Sequence, residues 1–178
     1  LARAGDIHVI ALPGSPDLRY LLLAPKAELT ELATRYAESL ASAEEAFWQF
    51  LDIQAGLPDI TSATMEAFIP TMLNLEPLGG ISYAKGCYPG QEVVARMHYL
   101  GSLKRRLYRA SIPADPPAPG AVVTNDKGAE AGSVVSAAPA PGGGSEFLAV
   151  LKIDAADGPL TINEYPVRLM DLPYPPPA

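Results

Sequence analysis

The residues best equipped for chemistry stand in one run, Lys85-Gly86-Cys87-Tyr88-Pro89-Gly90-Gln91-Glu92-Val93-Val94-Ala95-Arg96. Cys87 is the only cysteine among 178 residues. As a thiolate it would be a nucleophile. Two features could lower its pKa. One is the ammonium of Lys85. The other is the set of free N–H groups, with the positive dipole end, of a helix that the spacing starts near Gly90. The same groups could hold a carboxylate or a phosphate. Gly86 and Gly90 let the backbone come close to a ligand. Gln91 can donate and accept hydrogen bonds at the edge of a heteroaromatic ring. Glu92 and Arg96, at i and i+4, share a helix face and can pair. Plainer readings stand beside these. A lone cysteine is also a small buried hydrophobe, and Glu92 with Arg96 is also a modest surface pair. The residue types alone leave both open. No hydroxyl–histidine–carboxylate set is recognisable. The two histidines, His8 and His98, make no zinc pattern, and no metal site is expected. A single thiol excludes an internal disulfide and cannot hold an iron–sulfur cluster unaided.

Something must hold this run in place. With 48% apolar and 19% charged residues the chain is a folded one, long enough for one good core or two small ones. No apolar run approaches the roughly 20 residues of a membrane span, and the opening Leu1-Ala2-Arg3 has no signal-peptide form. Lacking an initiating Met, the sequence is expected to be a piece of a longer chain. One unpaired cysteine suits a reducing cytoplasm. A net charge of −7 disfavours nucleic-acid binding by the surface as a whole. Yet residues 85–109 hold Lys85, Arg96, Lys104, Arg105, Arg106 and Arg109 against Glu92 alone. This segment reads either as the solvated face of a strand or as a local field for an anionic ligand or an RNA backbone.

In chain order, His8–Leu12 and Arg19–Ala24 read as a hairpin around Pro13-Gly14-Ser15-Pro16-Asp17, short of partner strands. A helix is expected from Lys26 to Leu40, carrying Leu29, Leu32, Ala33, Tyr36, Ala37 and Leu40 on one face. A second is expected after an N-cap at Ser42, with Glu45 in capping-box position, ending at Gly56. Its Trp48 is read as a packing residue, or alternatively as a ring against a flat ligand. Residues 61–84 read as irregular chain with one short helical turn, running into the cysteine stretch. Beyond Gly101 the pattern changes to short strands, Leu103–Ile112, Ala121–Thr124, Gly132–Ala137, Glu146–Ile153, Leu160–Ile162 and Val167–Leu169. Turn signals at Asn125–Gly128, Pro141–Gly144 and Asp157–Pro159 divide them, which predicts a small antiparallel barrel or sandwich. The tail Pro173–Pro177 reads as extended chain. The domain boundary falls near residues 101–104.

With Tyr99 three residues beyond Arg96, the cysteine run resembles the signature of the YgfZ family, K-G-C-[FYT]-x-G-Q-E-x-x-x-R-x-x-[FYH]. It is matched at Lys85, Gly86, Cys87, Tyr88, Gly90, Gln91, Glu92, Arg96 and Tyr99. Asp52–Pro58, Phe68–Pro70, Leu73–Leu75, Gly79–Ser82, Leu100-Gly101 and Lys104-Arg105 give similar context, so the resemblance covers essentially the whole chain. It implies an α+β architecture: a partial aminomethyltransferase-like folate-binding α/β domain over residues 1–102, then a small β-barrel over 103–178. It implies tetrahydrofolate or a derivative as ligand, with Gly86, Tyr88, Gly90, Gln91, Glu92, Arg96 and Tyr99 around it and Cys87 and Lys85 as the working groups. It further implies assembly or repair of iron–sulfur clusters, with client iron–sulfur enzymes as partners, including radical enzymes that methylthiolate tRNA. Family members are longer, with an added N-terminal region that supplies much of the folate-binding core. The signature lies on the YgfZ side of the superfamily and implies no aminomethyl transfer, so whether the protein is an enzyme stays open. Two alternatives are carried: a folate-dependent one-carbon transferase, and an RNA- or protein-docking module using residues 104–109, through which tRNA would be touched.

Overall fold

The computed structural model describes residues 2–12, 18–86, 88–101 and 103–175, with the backbone alone at 98 and 100. Three strands open the chain. β1 (Ala2–Ala4), β2 (Ile7–Leu12) and β3 (Arg19–Leu23) pair antiparallel in that order. The expected hairpin is β2–β3; its loop, residues 13–17, lies outside the described residues. β1 is a partner strand that three residues of small and charged character do not announce. Directly paired residues share a face. Val9–Leu22 and Ala11–Tyr20 therefore lie on one side, Ile10–Leu21 and Leu12–Arg19 on the other. Both faces are largely apolar, the pattern of a sheet covered on two sides.

Two helices follow, α1 (Lys26–Arg35) and α2 (Glu45–Gln54). α1 stops five residues short of the expected Leu40, and it has no buried residue. An apolar face that buries no side chain fully gains little from further turns. α2 starts at Glu45 with Glu44 as N-cap and no side-chain cap bond, so Ser42 forms no capping box. It ends as expected, with Gly56 in a left-handed conformation at φ +67°. Trp48 is not a core residue: it is 39% exposed, with the Arg19 guanidinium 5.1 Å from the ring centroid. Arg19 itself is buried and donates from Nη1 to Asp52 Oδ1 at 2.8 Å, which fastens β3 to α2. A 3₁₀ turn at Pro70–Leu73 is the short helical turn expected in the irregular stretch. Then comes α3 (Gln91–Leu100).

Six further strands form a closed antiparallel barrel in the order β4 (Arg105–Ile112), β7 (Ser145–Lys152), β6 (Glu130–Pro139), β5 (Val122–Asn125), β8 (Leu160–Ile162), β9 (Tyr165–Met170), with β9 returning to β4. All six correspond to expected strands. Closure removes the edges that an open sheet leaves unpaired. The interior is filled by small and branched side chains around Phe147, among them Ala110, Val134, Ala149 and Leu151. Gly132 belongs to this packing, because a Cβ there would meet the Val150 carbonyl oxygen. The outer face of β4, β6 and β7 is also covered. Leu107, Val135, Leu148 and Val150 pack against Phe50 and Ile53 of α2 and against Leu73. This double burial accounts for the unbroken apolar run Phe147–Leu151. The pleat turns the adjacent valines Val134 and Val135 to opposite faces, one to the interior and one to the outer layer, both fully buried, and the register shifts just after them.

Candidate functional site

The site is built from the barrel outwards. Asn74 follows the 3₁₀ turn in a left-handed conformation (φ +53°) and is fully buried. Its Nδ2 donates to the Leu107 carbonyl at 3.0 Å, and its Oδ1 accepts from the Leu107 N–H at 3.4 Å. β9 pairs β4 only over Arg109–Ser111. At Leu107 the Asn74 amide therefore stands in for a strand and satisfies two backbone groups at once. The tail makes a second tie. Tyr174 donates its hydroxyl to the Gly56 carbonyl at 2.7 Å, and a Cβ on Gly56 would collide with that ring. Burial pushes the Tyr174 phenol up to about 12, while the Asn74 side chain acts in the opposite sense.

From Asn74 the chain turns through Gly79-Gly80, with the Gly80 N–H bonded to the Leu75 carbonyl at 2.7 Å. Tyr83 comes back to donate to Glu76 Oε2 at 3.3 Å. Burial first, and then the Glu76 carboxylate, push the Tyr83 phenol up to about 12. Its ring meets Tyr99 of α3 edge-on, 6.0 Å between centroids. Lys85 lays its ammonium 4.6 Å from the centre of the Tyr88 ring. Gly90, at φ +86°, caps α3. Tyr88 and Gln91 exchange hydrogen bonds: the Gln91 N–H donates to the Tyr88 carbonyl at 3.1 Å, and Gln91 Oε1 accepts from the Tyr88 N–H at 3.3 Å. Gln91 thus ties off the helix start in the manner of a capping box. Val94 is the buried anchor of α3.

The structure therefore gathers Lys85, Tyr88 and Gln91 at the start of α3, while Tyr99, in its last turn, meets Tyr83; Gly86 and Gly90 are in exposed backbone. Glu92 and Arg96 are exposed, and among the described residues no ion pair joins them. Cys87 lies outside the described residues, as does the His98 side chain. Sequence reasoning does not single out Asn74, Glu76 or Tyr83 as site residues. The one available signal for Tyr83 is its place two residues before Lys85. Among the described residues no group of three or more His, Asp or Glu side chains could hold a metal ion. No helix there is long and apolar enough to cross a membrane.

The basic segment is less free than its composition suggests. Arg109, only 14% exposed in its side chain, holds Glu146 Oε2 through Nε at 2.9 Å and Nη2 at 2.7 Å. Arg106 lies over the Tyr108 ring at 4.9 Å. Arg105 reaches Glu130 at 3.9 Å. Three of the four cations from Lys104 to Arg109 are thus engaged within the barrel.

Known proteins place these features in context. Residues 104–175 match the family described as CAF17, C-terminal beta-barrel domain. A tRNA-modifying protein YgfZ of Edwardsiella ictaluri is 36% identical over 183 residues, covering 98% of this chain and 55% of that protein. One of the same name from Colwellia psychrerythraea is 39% identical over 108 residues, covering 61% of this chain and 32% of its own length. At its broadest match the chain thus spans about half the length of a curated relative. In fold it is similar to the glycine cleavage system aminomethyltransferase T of Bartonella henselae, with a TM-score of 0.69 at 13% identity over 96% of this chain and 50% of that one.

Proposed function

The chain belongs to the YgfZ family, and on that footing we propose that it is a folate-binding accessory protein for tRNA-modifying iron–sulfur enzymes, with Cys87 and Lys85 as its working groups. The observation that carries the proposal is the signature run itself, and what supports it is that Lys85, Gly86, Gly90 and Glu92 of that run are exposed near a turn that Asn74 ties to the barrel. The relatives' name ties the family to tRNA modification. The fold likeness to an aminomethyltransferase favours a folate as ligand. The residues present fit one wall of a site for such a planar heterocycle: the rings of Tyr83 and Tyr99, the polar edge of Glu76, and the Lys85 ammonium. When bound, a reduced folate would supply one-carbon chemistry. The chain's own part is to stack the ring and to offer hydrogen bonds at its edge. Titrating tetrahydrofolate into the native protein tests this part. Saturable binding that weakens about tenfold in Tyr99→Ala, the scale of a lost stacking contact, supports it; binding indifferent to Tyr99 counts against it.

The accessory reading is preferred to a one-carbon transferase. The signature run lies on the YgfZ side of the superfamily, which implies no aminomethyl transfer. Turnover of an aminomethyl donor with tetrahydrofolate above background would reverse that preference.

A further inference from the structure

Lys85 is exposed, yet its ammonium rests 4.6 Å from the centre of the Tyr88 ring. Among the described residues no carboxylate forms an ion pair with it, although Glu92 is exposed further along the same run. A lysine has wide rotamer freedom and a strongly hydrated head. A ring can hold such a group in one place only if the ring is itself fixed.

Tyr88 is fixed. It is partly buried, where Lys85 is not. Its N–H donates to Gln91 Oε1 at 3.3 Å, and its carbonyl accepts from the Gln91 N–H at 3.1 Å. Both backbone groups of Tyr88 are thereby tied to the first residue of α3. Gly90, at φ +86°, supplies the left-handed turn that lets the two residues face each other. A helix N-terminus is the end that disfavours a cation, so the helix does not draw the ammonium here. The face of the ring supplies the attraction.

We infer that Tyr88 is a positioning residue: its ring sets the Lys85 ammonium at the signature loop, and Tyr88 does not itself touch the ligand. The inference rests on the proposed function, in which Lys85 is a working group, and deepens it. Tyr88 and Gln91 then take a part different from the ligand contacts that the family resemblance implies. Gln91 fixes the ring, the ring fixes the cation, and the cation meets the ligand.

The first measurement needs no ligand. The native protein is treated with a limiting amount of an acylating reagent, and modification of Lys85 is followed by mass spectrometry of its peptide. Only the free amine is acylated, and a cation–π contact favours the ammonium. Tyr88→Ala is expected to raise the rate about two- to fivefold, the scale of one exposed cation–π contact. Tyr88→Phe keeps the ring and is expected to leave the rate unchanged. Tyr88→Leu keeps bulk without a ring face and is expected to follow Tyr88→Ala; it also serves if Tyr88→Ala does not fold, which melting curves would reveal. A Tyr88→Leu variant acylated at the wild-type rate overturns the inference. The second measurement is a double-mutant cycle on tetrahydrofolate binding. Lys85→Met is expected to weaken binding about tenfold, the scale of a lost charged contact, and Tyr88→Ala about two- to fivefold. In the Lys85→Met background, Tyr88→Ala is expected to add nothing. A double variant weaker by the full Tyr88→Ala factor means that the ring meets the ligand directly, and overturns the inference. Absent tetrahydrofolate binding with ring-dependent acylation sinks the functional reading alone; binding with ring-independent acylation sinks this inference alone.

Discussion

The barrel and the chain that precedes it solve the same problem in opposite ways. In the barrel, Val134, Phe147, Ala149 and Leu151 are fully buried, and β7 is covered on both faces. In the opening sheet, Tyr20, Leu21, Leu22 and Leu23 remain 41% to 50% exposed, although the strand pairing makes both faces apolar. Closure satisfies the barrel's own edges. The preceding region instead takes its order from the barrel, through α2 on the outer face of β6 and β7, through Asn74 on Leu107 and through Tyr174 on Gly56. The signature loop hangs between these ties. A rigid scaffold carrying an exposed loop is the usual arrangement for a working site.

Substitutions in the two regions should therefore differ sharply. Phe147→Ala, in the barrel interior, is expected to cost about 3–5 kcal/mol in urea unfolding and to lose both regions together. Survival of the preceding region alone would show that it does not depend on the barrel. Asn74→Ala leaves two Leu107 backbone groups unpaired, at a cost of about 1–3 kcal/mol. It should also release the Tyr83–Tyr99 contact, visible as faster amide exchange at the start of α3 while the barrel stays protected. Unchanged exchange there would show that Asn74 does not hold the loop.

The Tyr174 tie predicts a pH dependence. Its phenol holds its proton in the fold up to about 12, against 10.0 for an ordinary tyrosine. Its contribution is full below pH 10 and is lost as pH rises from 10 to about 12, because the unfolded chain ionises first. The expected loss is about 1 kcal/mol once its part-exposure is allowed for. Tyr174→Phe should remove that share of the alkaline decline and leave the part due to Tyr83, whose phenol is raised in the same sense. The smallest effect belongs to the open sheet. Leu22→Ser is expected to change stability by no more than about 0.5 kcal/mol, and a loss of several would mean that this face is covered in solution.

The same contrast explains what the sequence discloses. Barrel strands are cut by local signals, Asn125–Gly128, Pro141–Gly144 and Asp157–Pro159, and Leu160–Ile162 is read to the residue. Local packing confirms what local pattern suggests. α1 is over-extended because an apolar stripe says nothing about whether anything covers it. The loop and helix of the site are legible from Gly90 and the residues after it. Their anchor is not, since Asn74 acts on a backbone 33 residues further on and nothing local marks that pairing. The basic segment misleads for a related reason. Composition counts Arg109 as a free charge, while the β4–β7 register puts Glu146 diagonally across from it, within reach of an ion pair.

On the proposed reading the signature loop is the working part and the barrel its holder. The most direct test is the activity of a tRNA-modifying iron–sulfur enzyme, the proposed client, in cells whose only copy of the native protein carries Cys87→Ala. Activity is expected to fall close to that of cells lacking the protein, with the variant present at normal level and melting at the normal temperature. Wild-type client activity in those cells would contradict it.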